Sequence, residues 1–257
     1  MQFAYLSESV SIKRVSEDGK KGIFAIEGLY RGYGLTTGNA IRRVLLSSLP
    51  GAAITRFRVK GVKHEFTTIP GVVEDVVEFG LNLKKVRFNF YADEPQVLSL
   101  KIKGEKEVTA NDIKGNADVK VANPELHLAA LSSKDAEIDV EITVEKGLGY
   151  VPVENQKVEK LPIGTVALDA IFSPVMAVNF TVENMRVGDR TDYNRVILEV
   201  ETDGTVSPSR AVHKAADILL DHFKHIADID IKEEIGEAEV KPKKKVTKAA
   251  KEKESEE

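Results

Sequence analysis

The chain of 257 residues contains no cysteine, which removes disulfides, thiolate metal sites and thiol nucleophiles together. That absence suits a reducing cytoplasm. No apolar run approaches the roughly 20 residues that a membrane-spanning helix needs. The opening MQFAYLSESVSIKRV also lacks the basic-then-apolar layout of a signal peptide, so the expectation is a cytoplasmic chain with no membrane contact. Excess charge is missing too. With 37 Lys and Arg against 41 Asp and Glu, the net charge is −4, which gives no general attraction to nucleic-acid phosphates and leaves only local contact with DNA. No segment repeats at a fixed period. What is present is a hydrophobic content of 42%, over a length that can bury two modest cores or one large one.

Signatures of catalysis are equally scarce. None of the five histidines sits in HExxH or beside a GxSxG serine. His222 and His225 share a helix face but have no nearby third metal ligand. The glycine motifs Arg31-Gly32-Tyr33-Gly34 and Lys146-Gly147-Leu148-Gly149-Tyr150 do not continue into a phosphate-cradling loop, so they read as turns or close packing. These observations predict no catalytic residue, no metal and no cofactor on this chain. Two alternatives stay open. Glu74, Asp75 and Glu78 would serve a carboxylate-dependent hydrolase if they converged in a pocket. Arg56, Arg58, Lys60 and Lys63, with the lysine-rich tail, would serve a nucleic-acid-binding module.

The periodicities predict an α+β chain. Asp18-Gly19, between apolar segments around Ile12 and Ile23–Ile26, signals a hairpin, since glycine accepts the positive φ of a tight turn. Ile41, Val44, Leu45, Ser48 and Leu49 recur at helical spacing until Pro50-Gly51 stops them, and Gly38 sets the helix start only to within a turn. The period then drops to two around Phe57 and Val59, Leu98–Ile102, and most cleanly over Glu137–Val144. Gly71 through Leu83 is consistent with a short helix, although β-branched residues lower its helix propensity. Alternation resumes through Val178–Val182 and Val196–Val200. Ser207 and Pro208 then open a last helix as cap and first residue, with an apolar stripe from Val212 to Ile226 wide enough for more than one neighbour. From residue 233 to 257 the composition is too polar to offset the entropy of ordering, which predicts a disordered tail.

On the first long helix, 100° steps place Asn39, Arg42, Arg43 and Leu46 opposite the apolar arc. Periodicity alone leaves two readings. This is either a solvated face, where arginines commonly lie, or a partner surface, where arginine and apolar anchors are enriched.

The same segment, Arg31-Gly32-Tyr33-Gly34 followed by Thr37-Gly38-Asn39-Ala40-Ile41-Arg42-Arg43-Val44-Leu45-Leu46-Ser47-Ser48, resembles the amino-terminal domain of the α subunit of bacterial RNA polymerase. Further blocks follow in order: Gly61–Phe66, Leu81–Lys84, Gly149–Pro152, Pro162–Gly164, Phe172–Val175, Arg190–Asp192 and Glu199–Thr205. The resemblance implies a discontinuous dimerisation domain, residues 1–50 and 175–232, with antiparallel strands and two long helices. A β-rich domain, residues 51–174, is inserted in it. It implies a homodimer through Ile41, Val44, Leu45, Leu49, Val212, Ile218, Leu219 and Phe223. It also implies a platform on which the catalytic β and β′ subunits assemble, with Arg31, Asn39, Arg42, Arg43 and Leu46 facing β. Arg190, Thr191, Asp192, Arg195 and Glu199 would face β′. DNA would be met only through the assembled enzyme. Two departures stand out: Leu35 where many members have histidine, and Leu148 in a block that often reads Gly-Arg-Gly-Tyr. Members usually continue past a linker into a small helical DNA-reading domain, and the expectation here is a chain that lacks it.

Overall fold

The computed structural model describes residues 9–156 and 162–229; the tail expected from residue 233 lies outside them. In chain order the elements are β1 (Ser11–Glu17), β2 (Lys21–Leu29), α1 (Tyr33–Ser47), β3 (Pro50–Val59), α2 (Val76–Leu83), β4 (Phe88–Phe90), β5 (Gln96–Lys103), β6 (Lys106–Thr109), β7 (Val119–Val121), β8 (His127–Leu131), β9 (Glu137–Leu148), β10 (Tyr150–Val151), β11 (Thr165–Ala167), β12 (Ala170–Ile171), β13 (Val175–Val187), β14 (Arg190–Thr202) and α3 (Pro208–Ala227). The result is an α+β fold, and every named strand pair is antiparallel.

One four-stranded sheet has the order β1-β2-β14-β13. The Asp18 turn joins its first two strands, with the Asp18 carboxylate accepting the Lys20 and Lys21 amides at 3.0 and 2.7 Å. Helices α1 and α3 pack on this sheet and on each other. Their core contains Phe24, Ile26, Leu29, Ile41, Leu45, Leu49, Val196, Leu198, Val200 and Val212. A second core belongs to the sheet β11-β3-β9-β5. There Ile138, Val140, Ile142 and Val144, alternate residues of β9, pack with Phe57, Phe79, Leu83 and Leu100. The expected short helix forms over Val76–Leu83, the second part of the expected span, with Asp75 at its N-cap accepting the Glu78 amide at 2.7 Å.

α1 begins at Tyr33, ahead of the threonines, because glycine permits close packing there. A Cβ at Gly34 would meet Val182 at 2.7 Å, and one at Gly38 would meet the Phe180 ring at 2.6 Å. The two glycines, one turn apart, let the helix lie directly against β13. Local helix propensity is sacrificed for that approach.

A candidate partner-binding surface

Helix α1 separates its residues cleanly. Ile41 and Leu45 are buried in the chain's own core, while Asn39, Arg42, Arg43 and Leu46 are exposed. The outward arc drawn from periodicity is therefore the solvent face. Among the described residues no carboxylate lies within ion-pair distance of Arg31, Arg42 or Arg43. Leu35, also exposed, extends the stripe one helical repeat before Asn39. This face presents unneutralised guanidinium groups beside apolar side chains, a combination suited to a partner offering carboxylates around an apolar spot.

The start of α1 is held from a distance. Gly32, at its N-cap with φ of 86°, supplies no capping side chain. The side-chain carbonyl of Asn194 on β14 instead accepts the Gly32 amide at 2.8 Å and approaches the Gly34 amide at 3.4 Å. Asn194 is only 8% exposed, so its amide acts as an internal cap for the helix that carries the arginines. Local sequence reasoning misses it, because the capped helix begins some 160 residues earlier.

The second expected group divides in two. Arg190 holds Asp192 through two bonds of 3.0 and 2.8 Å. Its guanidinium also stacks over Tyr30 and Tyr193, at 5.0 and 5.5 Å from their ring centroids. The hydrogen bond to Asp192, then that to Tyr30, raises the Arg190 pKa, and the same Arg190 bond lowers that of Asp192. Arg195 lies apart from this cluster, between Glu27 at 3.1 Å and Glu183 at 3.7 Å. Thr191 and Glu199 are exposed. Tyr30 joins the two groups: its ring meets Tyr193 at 5.9 Å and Tyr33 of α1 at 6.5 Å. Tyr30 and Tyr193 were missed, although Tyr30 directly precedes the Arg31-Gly32-Tyr33-Gly34 motif.

The residues expected at a dimer contact also fall into two sets. Ile41, Leu45, Leu49 and Val212 lie in the chain's own core, with Val44, Ile218 and Leu219 packed against it. Phe223 is 60% exposed, and Leu220, Ile226 and Ile229 beside it are exposed as well. The wide stripe of α3 thus packs on its own sheet as far as Leu219, and beyond it Leu220, Phe223 and Ile226 stand exposed among the described residues.

The alternative chemistries fare differently. Glu74 turns inward to the Ala130 amide and His127, at 2.7 and 2.9 Å. Asp75 caps α2, so these two and Glu78 do not converge. No described residues form a group able to hold a metal ion. Of the basic set, Arg56 pairs with Glu145 at 3.3 Å, Arg58 with Glu141 at 3.0 Å and Lys60 with Asp139 at 4.0 Å, across β3 and β9. That face is a charge-alternating lattice, with only Lys63 outside it. No described helix is long and apolar enough to cross a membrane.

The described chain is thus an α+β fold with exposed arginines on α1 and exposed apolar side chains at the end of α3. Comparison with known proteins gives the family. Residues 56–173 match the RNA polymerase Rpb3/RpoA insert domain. The DNA-directed RNA polymerase subunit alpha of Symbiobacterium thermophilum is 49% identical over 230 residues, 90% of this chain and 72% of that protein. The same subunit of Alkaliphilus oremlandii is 44% identical over 229 residues, 86% of this chain and 72% of its own. That of Moorella thermoacetica is 50% identical over 207 residues, 80% and 66% of the two chains. The chain belongs to the family of DNA-directed RNA polymerase alpha subunits.

Proposed function

We propose that this chain is the non-catalytic assembly subunit of its polymerase, a homodimer on which the β and β′ subunits are mounted. The observation that carries the reading is the divided α1, with one face in the core and the other presenting Arg42, Arg43 and Leu46 with no carboxylate of the described residues in ion-pair distance of the arginines. In this reading Arg31, Asn39, Arg42, Arg43 and Leu46 take β. Arg190, Thr191, Asp192, Arg195 and Glu199 take β′, with Arg190 and Asp192 acting as a stacked, internally paired unit. Nucleotide chemistry and its metal ions belong to the large subunits, DNA is met through the assembled enzyme, and the chain works in the cytoplasm.

The division into residues 1–50 with 175–232 around an insertion of 51–174 is supported by the two separate cores and by the family match over 56–173. The dimer is supported by the exposed Leu220, Phe223, Ile226 and Ile229, since full burial of such a side chain gains about 1.5–3 kcal/mol. A groove of about 510 Å³ between β1 and the first half of α3, lined by Ile12, Phe24, Val212 and Ala216 together with Arg14, Ser209 and His213, offers a second copy a mainly apolar seat. The test is capture of β by the purified chain carrying Arg43→Ala. Folding and self-association should be unchanged and capture should weaken at least tenfold, the scale of a hot-spot arginine. Undiminished capture would remove Arg43 from the contact.

A further inference from the structure

Glu74, in the connector between β3 and α2, is only 8% exposed and yet carries a carboxylate. Its Oε2 accepts the Ala130 amide at 2.7 Å, and its Oε1 lies 2.9 Å from Nε2 of His127, the first residue of β8. The other ring nitrogen, Nδ1, lies 2.9 Å from Oε1 of Glu107 on β6. A carboxylate accepts hydrogen bonds and donates none, and a neutral imidazole has a proton on only one nitrogen. Carboxylate oxygens facing both nitrogens therefore call for a proton on each.

We propose that Glu74, His127 and Glu107 form a clamp held by a doubly protonated imidazole, which fastens the connector to β8 and loosens it as pH rises. Beside it stand a few backbone links and the burial of Ile69 and Val76 in the core that holds Leu128 and Leu131. The Val73 amide donates to Ala130 at 3.0 Å, the Ser132 amide donates to Gly71 at 2.8 Å, and Val72 bridges Leu131. The clamp closes the end of this short run, where the connector turns into α2.

Other charges near the triad are engaged elsewhere. Asp75, next to Glu74, caps α2. Lys106, next to Glu107, pairs with Asp112. Among the described residues, Glu74 and Glu107 are the charged groups within ion-pair distance of the ring. Titration is displaced in the matching directions. The hydrogen bond to Glu74 raises the His127 pKa against the opposing effect of burial, and Glu107 adds to the rise. Burial pushes Glu74 up, but the bonds from the Ala130 amide and from His127 outweigh it and leave the carboxyl lowered.

The signs define a window. His127, raised in the folded chain, contributes fully below its unfolded pKa and loses the contribution as pH climbs through the folded value. Glu74, lowered, contributes above its unfolded pKa and loses it as pH falls through the folded value. The clamp is closed between the two.

Nitrogen NMR of the His127 ring in the full chain, run beside amide exchange at Val73 and Ser132, tests this. Both ring nitrogens should carry protons below a single midpoint, and that midpoint should lie above the ordinary histidine value. Exchange protection should fall through that midpoint by about tenfold per unit of its elevation. Glu107→Gln, on the solvent side, should keep the fold and bring the midpoint down, and His127→Gln should abolish the pH step. A midpoint at or below the ordinary value, a single neutral tautomer at a pH equal to the ordinary histidine value, or protection unchanged across the midpoint would overturn the clamp. None of these readouts depends on polymerase assembly.

Discussion

Asn194 does for α1 what no residue beside the helix can do. Its buried side-chain carbonyl collects the Gly32 amide at 2.8 Å, and loss of such a cap costs about 1–2 kcal/mol. Asn194→Ala should lower the thermal midpoint by that equivalent and reduce capture of the large subunit without touching it. Gly38→Ala tests the neighbouring contact. The added methyl improves helix propensity by up to about 1 kcal/mol, but it starts 2.6 Å from the Phe180 ring, and overpacking costs about 1–3 kcal/mol. Net destabilisation in a denaturant titration is the expected result, and a stabilised variant would mean that the ring yields freely. Arg42, Arg43 and Leu46 were legible because one helix period assigns them a face. Asn194 and the Tyr30–Arg190–Tyr193 stack were not, since each depends on strand register set by distant residues.

At the scale of elements, α3 shows what local signals omit. Ser207 and Pro208 do mark its start, but the Ser207 side chain makes no capping bond. Glu17, at the end of β1, accepts the Ser209 amide at 2.9 Å and the Ser209 hydroxyl at 2.6 Å. A carboxylate at a helix N-terminus is favoured by both the free amides and the helix dipole. The Ser209 hydroxyl bond, then the Ser209 amide bond, lowers the Glu17 pKa. Its contribution is therefore complete above the unfolded glutamate pKa and disappears as pH falls through the lower folded value. Glu17→Gln should cost about 1 kcal/mol at neutral pH, and the gap from the unmodified chain should close in acid. An equal gap at all pH values would contradict the assignment. The width of the α3 stripe was visible in the sequence. Its division into a covered half and an open half was not, because that follows from where the sheet ends.

For the whole molecule, one link between the two large cores is a nearly buried ion pair. Arg87, just after α2, lies 3.5 Å from Asp203 at the end of β14, and both side chains are nearly buried, at 12% and 8% exposure. Removing one partner of such a pair leaves an uncompensated charge and costs about 3–5 kcal/mol. Arg87→Met should accordingly lower stability more than any surface substitution proposed above, read as a shift of the unfolding midpoint in denaturant. The α+β class and the places of β3, β9, β13 and β14 followed from periodicity. The pairing of β3 with β9 and of β2 with β14 spans too much chain for any local pattern to reveal. The central claim is that two copies of this chain form the platform for one β and one β′ subunit. Native mass spectrometry of the complex purified through this chain from its own cells tests it most directly. The account predicts two copies with one of each large subunit; a complex holding a single copy, or a chain that recovers neither large subunit, would contradict it.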